Sequence, residues 1–376
     1  MPDTVHLDQV SKTYPGGNQA LDGVSLDVPP GCFFVLLGPS GSGKTTLLRC
    51  LAGIERISSG RIAIGDRLVA DNRYHLPSER RELSMVFQDY ALWPHLNARD
   101  NVAFALRRRR RPRPERQAEA VKTLELVGLG SLTLRYPNEL SGGEQQRVAL
   151  ARALVAKTGL VLCDEPLSNL DADLRERMRV EIAMRVRDIG ATTIYITHDQ
   201  AEAFALADQL GVLEHGKLVQ LGTPEQIYRD PATAFVARFT GLAVELPVRL
   251  LERNGSTTVS VEPTTGLRLA RPLVARSFLA DRDTLKALLA IRPAAVRLCA
   301  PDGNQHHLVG TVADVAFRDR GYEHAIQLSN RTRVTGVYAP QRAGRGEVVG
   351  LTFEADGCLV FPHVRSVTEA ETREEA

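Results

Sequence analysis

At 376 residues, with 43% hydrophobic and 24% charged residues, the chain has room for two compact domains and the composition of ordinary globular protein. Its 47 basic residues nearly balance 45 acidic ones, so no field of a single sign selects nucleic acid or a lipid surface as partner. The longest apolar run, at 32–37, is far too short to span a bilayer, no signal-peptide pattern opens the chain, and the five cysteines show no metal-ligand spacing; a cytoplasmic protein with reduced thiols, no disulfide and no zinc is expected.

The first patterned element is the apolar run at 33–37, read as a buried strand. It leads into Gly38-Pro39-Ser40-Gly41-Ser42-Gly43-Lys44-Thr45-Thr46 and then the helix-forming Leu47 to Leu51. Strand, glycine-rich loop and helix in that order make a Walker A loop: the glycines let backbone N–H groups turn toward phosphate oxygens at the positive end of the helix. Lys44 is expected to contact the β- and γ-phosphates, and the Thr45 hydroxyl to hold Mg²⁺.

About 120 residues separate Lys44 from the next signal of this kind, more than one βαβ step needs, so a subdomain is inserted, at about 89–158. Within it, the arginine run at 107–113 has no interleaved aromatics and reads first as a solvated face, then as a patch for anionic lipid, and last as an RNA contact. Leu140-Ser141-Gly142-Gly143-Glu144 runs into a helix-like stretch, which makes a second glycine-preceded helix N-terminus and a second ready anion site. One chain needs only one phosphate loop, so this second site points to another nucleotide.

The apolar Leu160-Val161-Leu162-Cys163 ends in Asp164-Glu165, a Walker B pattern at the carboxyl end of a short buried strand. If this strand neighbours the Walker A strand, Asp164 suits the Mg²⁺ shell and Glu165 remains to polarise the attacking water as general base. Leu174, Met178, Ile182, Val186 and Ile189 then form one helical apolar stripe, and the strand at 192–197 ends in His198. A lone histidine there is more often structural; with a phosphate site on the same sheet edge, sensing the γ-phosphate is the better reading. Past Gly241 the texture becomes β-rich: segments at 309–317, 322–328, 331–338 and 347–353, broken by Gly, Asn or Pro, read as a small antiparallel barrel.

Taken in order, these motifs resemble those of ABC ATPases, with Leu140-Ser141-Gly142-Gly143-Glu144 matching the family signature except that Glu144 stands where glutamine is commoner. The resemblance implies an α/β P-loop NTPase cassette over 1–240, with the inserted helical subdomain, and ATP and Mg²⁺ as cofactors. A linker over 241–290 would lead to a TOBE-like regulatory β-domain at 291–365 and a tail at 366–376. It also implies that Tyr14 stacks on adenine, that Gln88 completes the metal shell and joins the site to membrane subunits, that Asp171 lies in the loop crossing a dimer interface, and that His198 is the switch histidine. Ser141, Gly142, Gly143 and Glu144 would face the nucleotide of a second copy, two ATPs being sandwiched between two cassettes.

The implied protein is the ATP-hydrolysing subunit of an importer, peripheral on the cytoplasmic face of the membrane. Its partners would be two integral permease subunits and, indirectly, a periplasmic or lipid-anchored solute-binding protein, with no nucleic acid. The stretch at 86–96 most resembles the subgroup serving ferric iron, polyamines, sulfate and maltose-type sugars, with ferric iron the first choice of solute. Two alternatives stand beside it: an exporter motor, against which the β-domain weighs, and a soluble ABC ATPase acting on nucleic acid, which would carry a coiled-coil insertion or a second cassette. Ligand sensing and dimer stabilisation are equally open for the β-domain.

Overall fold

A computed structural model of the chain describes residues 2–107, 111–167, 175–176, 179–180, 182, 184, 187–188, 190–253, 256–261, 273–274, 286–301, 307–318 and 321–362. The expectations for Asp171, for Leu174, Met178, Val186 and Ile189 of the apolar stripe, for 108–110 of the arginine run and for the 366–376 tail lie outside the described residues. By compactness the chain divides into Met1–Glu225 and Gln226–Ala376. No helix among the described residues is long and apolar enough to cross a membrane.

The first unit holds two sheets. Strands β1 (Val5–Thr13), β2 (Gln19–Val28), β4 (Ser59–Ile64) and β5 (Arg67–Ala70) form an antiparallel sheet in the order β2-β1-β4-β5. Strands β3 (Phe33–Leu37), β6 (Leu83–Val86), β7 (Leu160–Asp164), β8 (Thr192–Thr197), β9 (Gln209–Glu214) and β10 (Lys217–Gly222) form the second, ordered β10-β9-β3-β8-β7-β6. Only β10 runs antiparallel in it. Strands β3, β7 and β8 are buried at every residue, as strands of a parallel sheet covered on both faces should be. The condition attached to the carboxylates is not met as written, because β8 lies between β3 and β7. The outcome survives for a simple reason: parallel strands end on one edge, so a strand inserted between two others moves their ends apart without moving them off that edge.

Helix α1 (Lys44–Ala52) follows β3 and stops at Gly53, which takes a left-handed φ of 76° and returns its N–H to Arg49 and Cys50 carbonyls. Its carboxyl end is held by a buried cation. Arg81, 2% exposed, donates to the carbonyls of Cys50, Leu51, Leu76 and Val69, so the guanidinium meets the negative end of the helix dipole. Burial lowers its pKa to about 10. Arg81→Ala leaves those buried carbonyls without this donor, and a loss of about 3 kcal/mol or more in unfolding free energy is expected from chemical denaturation. A midpoint equal to the parent's would show that water replaces the guanidinium.

The insertion supplies helices α2 (Ala98–Phe104), α3 (Arg113–Leu126) and α4 (Gly142–Val155), which share an apolar cluster including Val102, Leu124 and Val148. Of the arginine run, Arg107 lays its guanidinium 4.5 Å from the centre of the Phe104 ring, and Arg113 begins α3.

The second unit is built on two five-stranded sheets. Residues read from sequence as linker contribute strands β11 (Val244–Arg253), β12 (Ser256–Val261), β13 (Leu273–Val274) and β14 (Lys286–Ile291). With β20 (Cys358–Pro362) they are ordered β12-β11-β14-β20-β13. The period-two alternation of buried Val244, Leu246 and Val248, answered by Ala287, Leu289 and Ile291, is the strand signal there. The other sheet runs β15-β19-β16-β17-β18, from β15 (Val296–Cys299), β16 (Leu308–Arg318), β17 (Gly321–Leu328), β18 (Arg333–Ala339) and β19 (Val348–Phe353). Its end strands β15 and β18 come into contact, so the sheet curls, and both sheets feed one apolar core. Arg292, buried at the head of β15, donates to the carbonyls of Ala237, Gly241 and Tyr228 and lies 4.1 Å from the centre of the Tyr228 ring.

Candidate functional site

The edge where β3, β6, β7 and β8 end gathers most of the residues singled out from sequence. Gly38 directly follows β3, whose Leu37 pairs with Thr197; Asp164 ends β7 opposite Ile196; and His198 directly follows β8. Gln88, exposed, stands two residues past Val86, which pairs with Cys163.

The loop 38–43 is shaped by close packing. A Cβ at Gly43, whose φ is +102°, would come within 2.3 Å of the Ala20 carbonyl oxygen, and one at Gly38 within 2.4 Å of that of Leu213. Inside the loop Lys44 is 4% exposed and donates to the carbonyls of Gly38 (2.8 Å) and Pro39 (2.9 Å). Burial lowers its pKa, while the carboxylates of Glu165 and Asp164 act in the opposite direction. The buried Ser42 hydroxyl has no hydrogen-bond partner among the described residues, an orphan that a ligand oxygen in the loop would satisfy. Ser40 and Gly41 are exposed, and Pro39, Thr45 and Thr46 are half-buried.

The Thr45 hydroxyl donates to Asp164 Oδ1 at 3.1 Å across the sheet edge. Asp164 is 4% exposed, and burial raises its pKa against the opposing hydrogen bond from Thr45. A buried carboxylate beside a hydroxyl, on which the Lys44 ammonium and Arg49 act as positive charge, is an oxygen donor pair that fits a hard divalent cation. Glu165 adopts φ of 44°, rare for a residue bearing a Cβ, and its N–H donates to the Ile196 carbonyl at 3.1 Å. That turn aims its carboxylate at His198, Nδ1 lying 2.9 Å from Oε2. The glutamate side chain is 17% exposed and the histidine 53%, so the pair faces outward from the edge. Behind His198, the Asp199 carboxylate accepts from the N–H groups of Ala201 and Glu202, while the buried Tyr195 hydroxyl donates to Glu202 at 2.8 Å. These bonds fix the backbone on either side of the histidine.

Ser141 caps α4, and Glu144 completes a capping box: its Oε2 accepts from the Ser141 N–H and hydroxyl, both at 2.8 Å. These bonds lower the Glu144 pKa. Ser141 and Gly142 are exposed and Gly143 is buried, so the positive end of α4 is open to solvent. At Gly142 a Cβ would meet no described atom within 4 Å, and no positive φ is required there. Tyr14, after β1, donates its hydroxyl to Glu55 at 2.6 Å and lies 3.4 Å from the Thr46 hydroxyl.

Several polar residues of the site were not singled out from sequence. Arg152 of α4 donates to the carbonyls of Tyr90 and Ala91, two consecutive residues with positive φ just past Gln88. Glu55, Arg81 and Glu202 likewise hold Tyr14, α1 and the His198 turn through polar contacts outside their own motifs.

A phosphate-shaped loop, a carboxylate pair and a histidine on one edge of a parallel sheet define a P-loop nucleotide hydrolase. The ABC transporter family model matches residues 21–168, and the TOBE domain model matches 289–361. The sn-glycerol-3-phosphate import ATP-binding protein UgpC of Rhizobium meliloti is 46% identical over 332 residues, 85% of this chain and 91% of its own. The Fe(3+) ions import ATP-binding protein FbpC of Brucella suis is 43% identical over 88% of this chain and 89% of its own. The spermidine/putrescine import ATP-binding protein PotA of Thermobifida fusca is 36% identical over 95% and 93%. Among solved structures, the dimeric ATP-binding cassette MJ0796 bound to ADP and Pi superposes with a TM-score of 0.53 at 31% identity, covering 58% of this chain and 98% of that one. The chain belongs to the ATP-binding subunits of ABC importers, ATPases coupled to transport, and carries a TOBE domain after its cassette.

Proposed function

We propose that two copies of this chain bind and hydrolyse MgATP at their shared interface and thereby drive two membrane permeases, peripherally on the cytoplasmic face of the membrane. The observation that carries this reading is the meeting of Lys44, Thr45, Asp164, Glu165 and His198 on one sheet edge, with Thr45 on Asp164 at 3.1 Å and His198 on Glu165 at 2.9 Å. Lys44 exchanges the Gly38 and Pro39 carbonyls for phosphate oxygens, and Ser42 with the 38–43 backbone lines the cradle. Thr45, Asp164 and Gln88 hold Mg²⁺, which supplies neutralisation of phosphate charge when bound. Glu165 takes the proton of the attacking water, and His198, bonded through Nδ1, fixes that carboxylate and presents its other nitrogen to the γ-phosphate. Tyr14 carries the adenine. The exposed Ser141 and Gly142, with Gly143, Glu144 and the Asp171 loop, serve the partner copy's nucleotide, as the dimeric state of the MJ0796 cassette supports.

The test is nucleotide binding and turnover by the purified chain. Lys44→Ala should raise the Kd for ATP by about a hundredfold or more, since the ammonium meets phosphate already in the ground state. EDTA should stop turnover in the parent chain. Equal ATP affinity in Lys44→Ala and parent, or turnover undiminished in EDTA, would remove the loop or the metal from this reading. For the solute we propose ferric iron, named for the Brucella suis relative, while the other two relatives are named for sn-glycerol-3-phosphate and for spermidine and putrescine. Loss of labelled iron uptake on deleting the gene is the expected result. Unchanged iron uptake with lost uptake of another of these solutes reassigns it.

A further inference from the structure

The residue proposed to carry the base and the loop proposed to carry the phosphates belong to different sheets. Tyr14 follows β1 of the antiparallel sheet, and α1 follows β3 of the parallel one. What joins them, beside the 3.4 Å approach of the Tyr14 and Thr46 hydroxyls, is a carboxylate that the proposed reaction leaves unused. Glu55 lies just beyond the carboxyl end of α1, where its own N–H and that of Ile54 both donate to the Arg49 carbonyl, at 3.2 and 3.0 Å. Its position is therefore set by the helix that begins at Lys44. Its side chain is only 18% exposed. Oε2 accepts the Tyr14 hydroxyl at 2.6 Å and faces Lys12 Nζ at 3.8 Å, while Oε1 faces Arg49 at 3.7 Å. Lys12 in turn donates to the Arg56 carbonyl at 2.8 Å and holds its ammonium 4.9 Å from the centre of the Tyr14 ring.

We infer that Glu55 is a positioning residue for the nucleotide base: with Lys12 it fixes the Tyr14 ring to the carboxyl end of the phosphate-loop helix, and so sets the distance between base and phosphate subsites. The inference rests on Tyr14 being the base platform. An aromatic ring on a turn is free to swing about χ1 and χ2; a charge-assisted bond to its hydroxyl removes that freedom before ligand arrives, so less order is lost on binding. Lys12 occupies one face of the ring, which assigns the base to the other face. The phosphate contacts of Lys44 and the loop backbone do not pass through Glu55, so the effect belongs to nucleotides that carry a base.

Two probes separate base from phosphate: ATP, and inorganic tripolyphosphate, which offers the phosphates alone. Binding of each is measured by calorimetry on the full chain, with Glu55→Ala, Tyr14→Phe, Tyr14→Ala and the Glu55→Ala/Tyr14→Phe double variant. Tyr14→Ala should weaken ATP about tenfold or more, the scale of a lost base–aromatic stack. Glu55→Ala should weaken ATP about three- to tenfold and leave tripolyphosphate within about twofold of the parent. Tyr14→Phe removes the same hydrogen bond from the other side without disturbing Arg49 or Lys12, together with the longer 3.4 Å contact to the Thr46 hydroxyl, so it should lose at least as much, and the double variant no more than Tyr14→Phe alone. Parent affinity for ATP in Glu55→Ala and Tyr14→Phe overturns the inference. Equal losses for ATP and tripolyphosphate in Glu55→Ala overturn it as well, since Glu55 would then merely support α1. A separate result, parent ATP affinity in Tyr14→Ala, sinks the base platform itself and is distinguishable from both.

Discussion

Glu165→Gln is expected to bind MgATP as tightly as the parent and to hydrolyse it about 10² to 10⁴ times more slowly, the usual contribution of a positioned general base. The substitution is nearly isosteric. It keeps an oxygen for His198, preserves the turn in which φ is 44°, and removes only the capacity to take a proton. Binding rests on Lys44 and the 38–43 loop. With chemistry stopped and binding intact, the variant should accumulate as a dimer on gel filtration in MgATP and return to monomer in EDTA. Turnover within a few-fold of the parent would take Glu165 out of its role and leave the water to another group.

Ser141→Arg is expected to abolish hydrolysis while ATP binding to the same chain's phosphate loop stays near the parent value. Ser141 is exposed, its hydroxyl and N–H are bonded to Glu144 within its own α4, and no described contact ties it to Lys44 or Asp164 of the same chain. A bulky cation at this position therefore obstructs an incoming surface rather than an internal one. Mixing the variant with Lys44→Ala sharpens the test: the mixed dimer holds one composite site with both lesions and one with neither. Recovered activity demonstrates complementation between chains. A Ser141→Arg chain that is monomeric at assay concentration and still turns over at the parent rate would sink the two-copy reading.

The phosphate loop, the Asp164-Glu165 step, His198 and the Ser141 helix start were legible because each is a local pattern, a short apolar run or a glycine pair meeting a particular side chain. Strands β16 to β19 were legible to within a residue or two, since Gly, Asn and Pro mark their ends. What the sequence hid is non-local. The insertion of β8 between β3 and β7 is a property of sheet assembly, and no residue of either strand announces it. Arg81, Glu55 and Arg152 were invisible for a related reason. Arg81 and Arg152 bond to backbone carbonyls, at 50, 51, 69 and 76 and at 90 and 91, and a carbonyl has no residue identity by which to recognise it. Glu55 reaches a tyrosine 41 positions away. The linker assigned over 241–290 hid its strands because Pro247 stands inside the alternation of β11 and β14 is a short continuous apolar run after Lys286.

Gly142 carries a consequence for how this chain has been shaped. At the first turn of α4 a glycine destabilises the helix by up to about 1 kcal/mol relative to alanine, yet no described atom would obstruct the methyl group and no unusual backbone angle asks for its absence. Folding of the single chain would therefore favour the larger residue. In the two-copy complex proposed above, the missing methyl serves a different equilibrium, in which a second molecule's phosphate comes up against this backbone, and the isolated subunit is left slightly softer at one helix end so that its surface can serve as a mould for something outside itself.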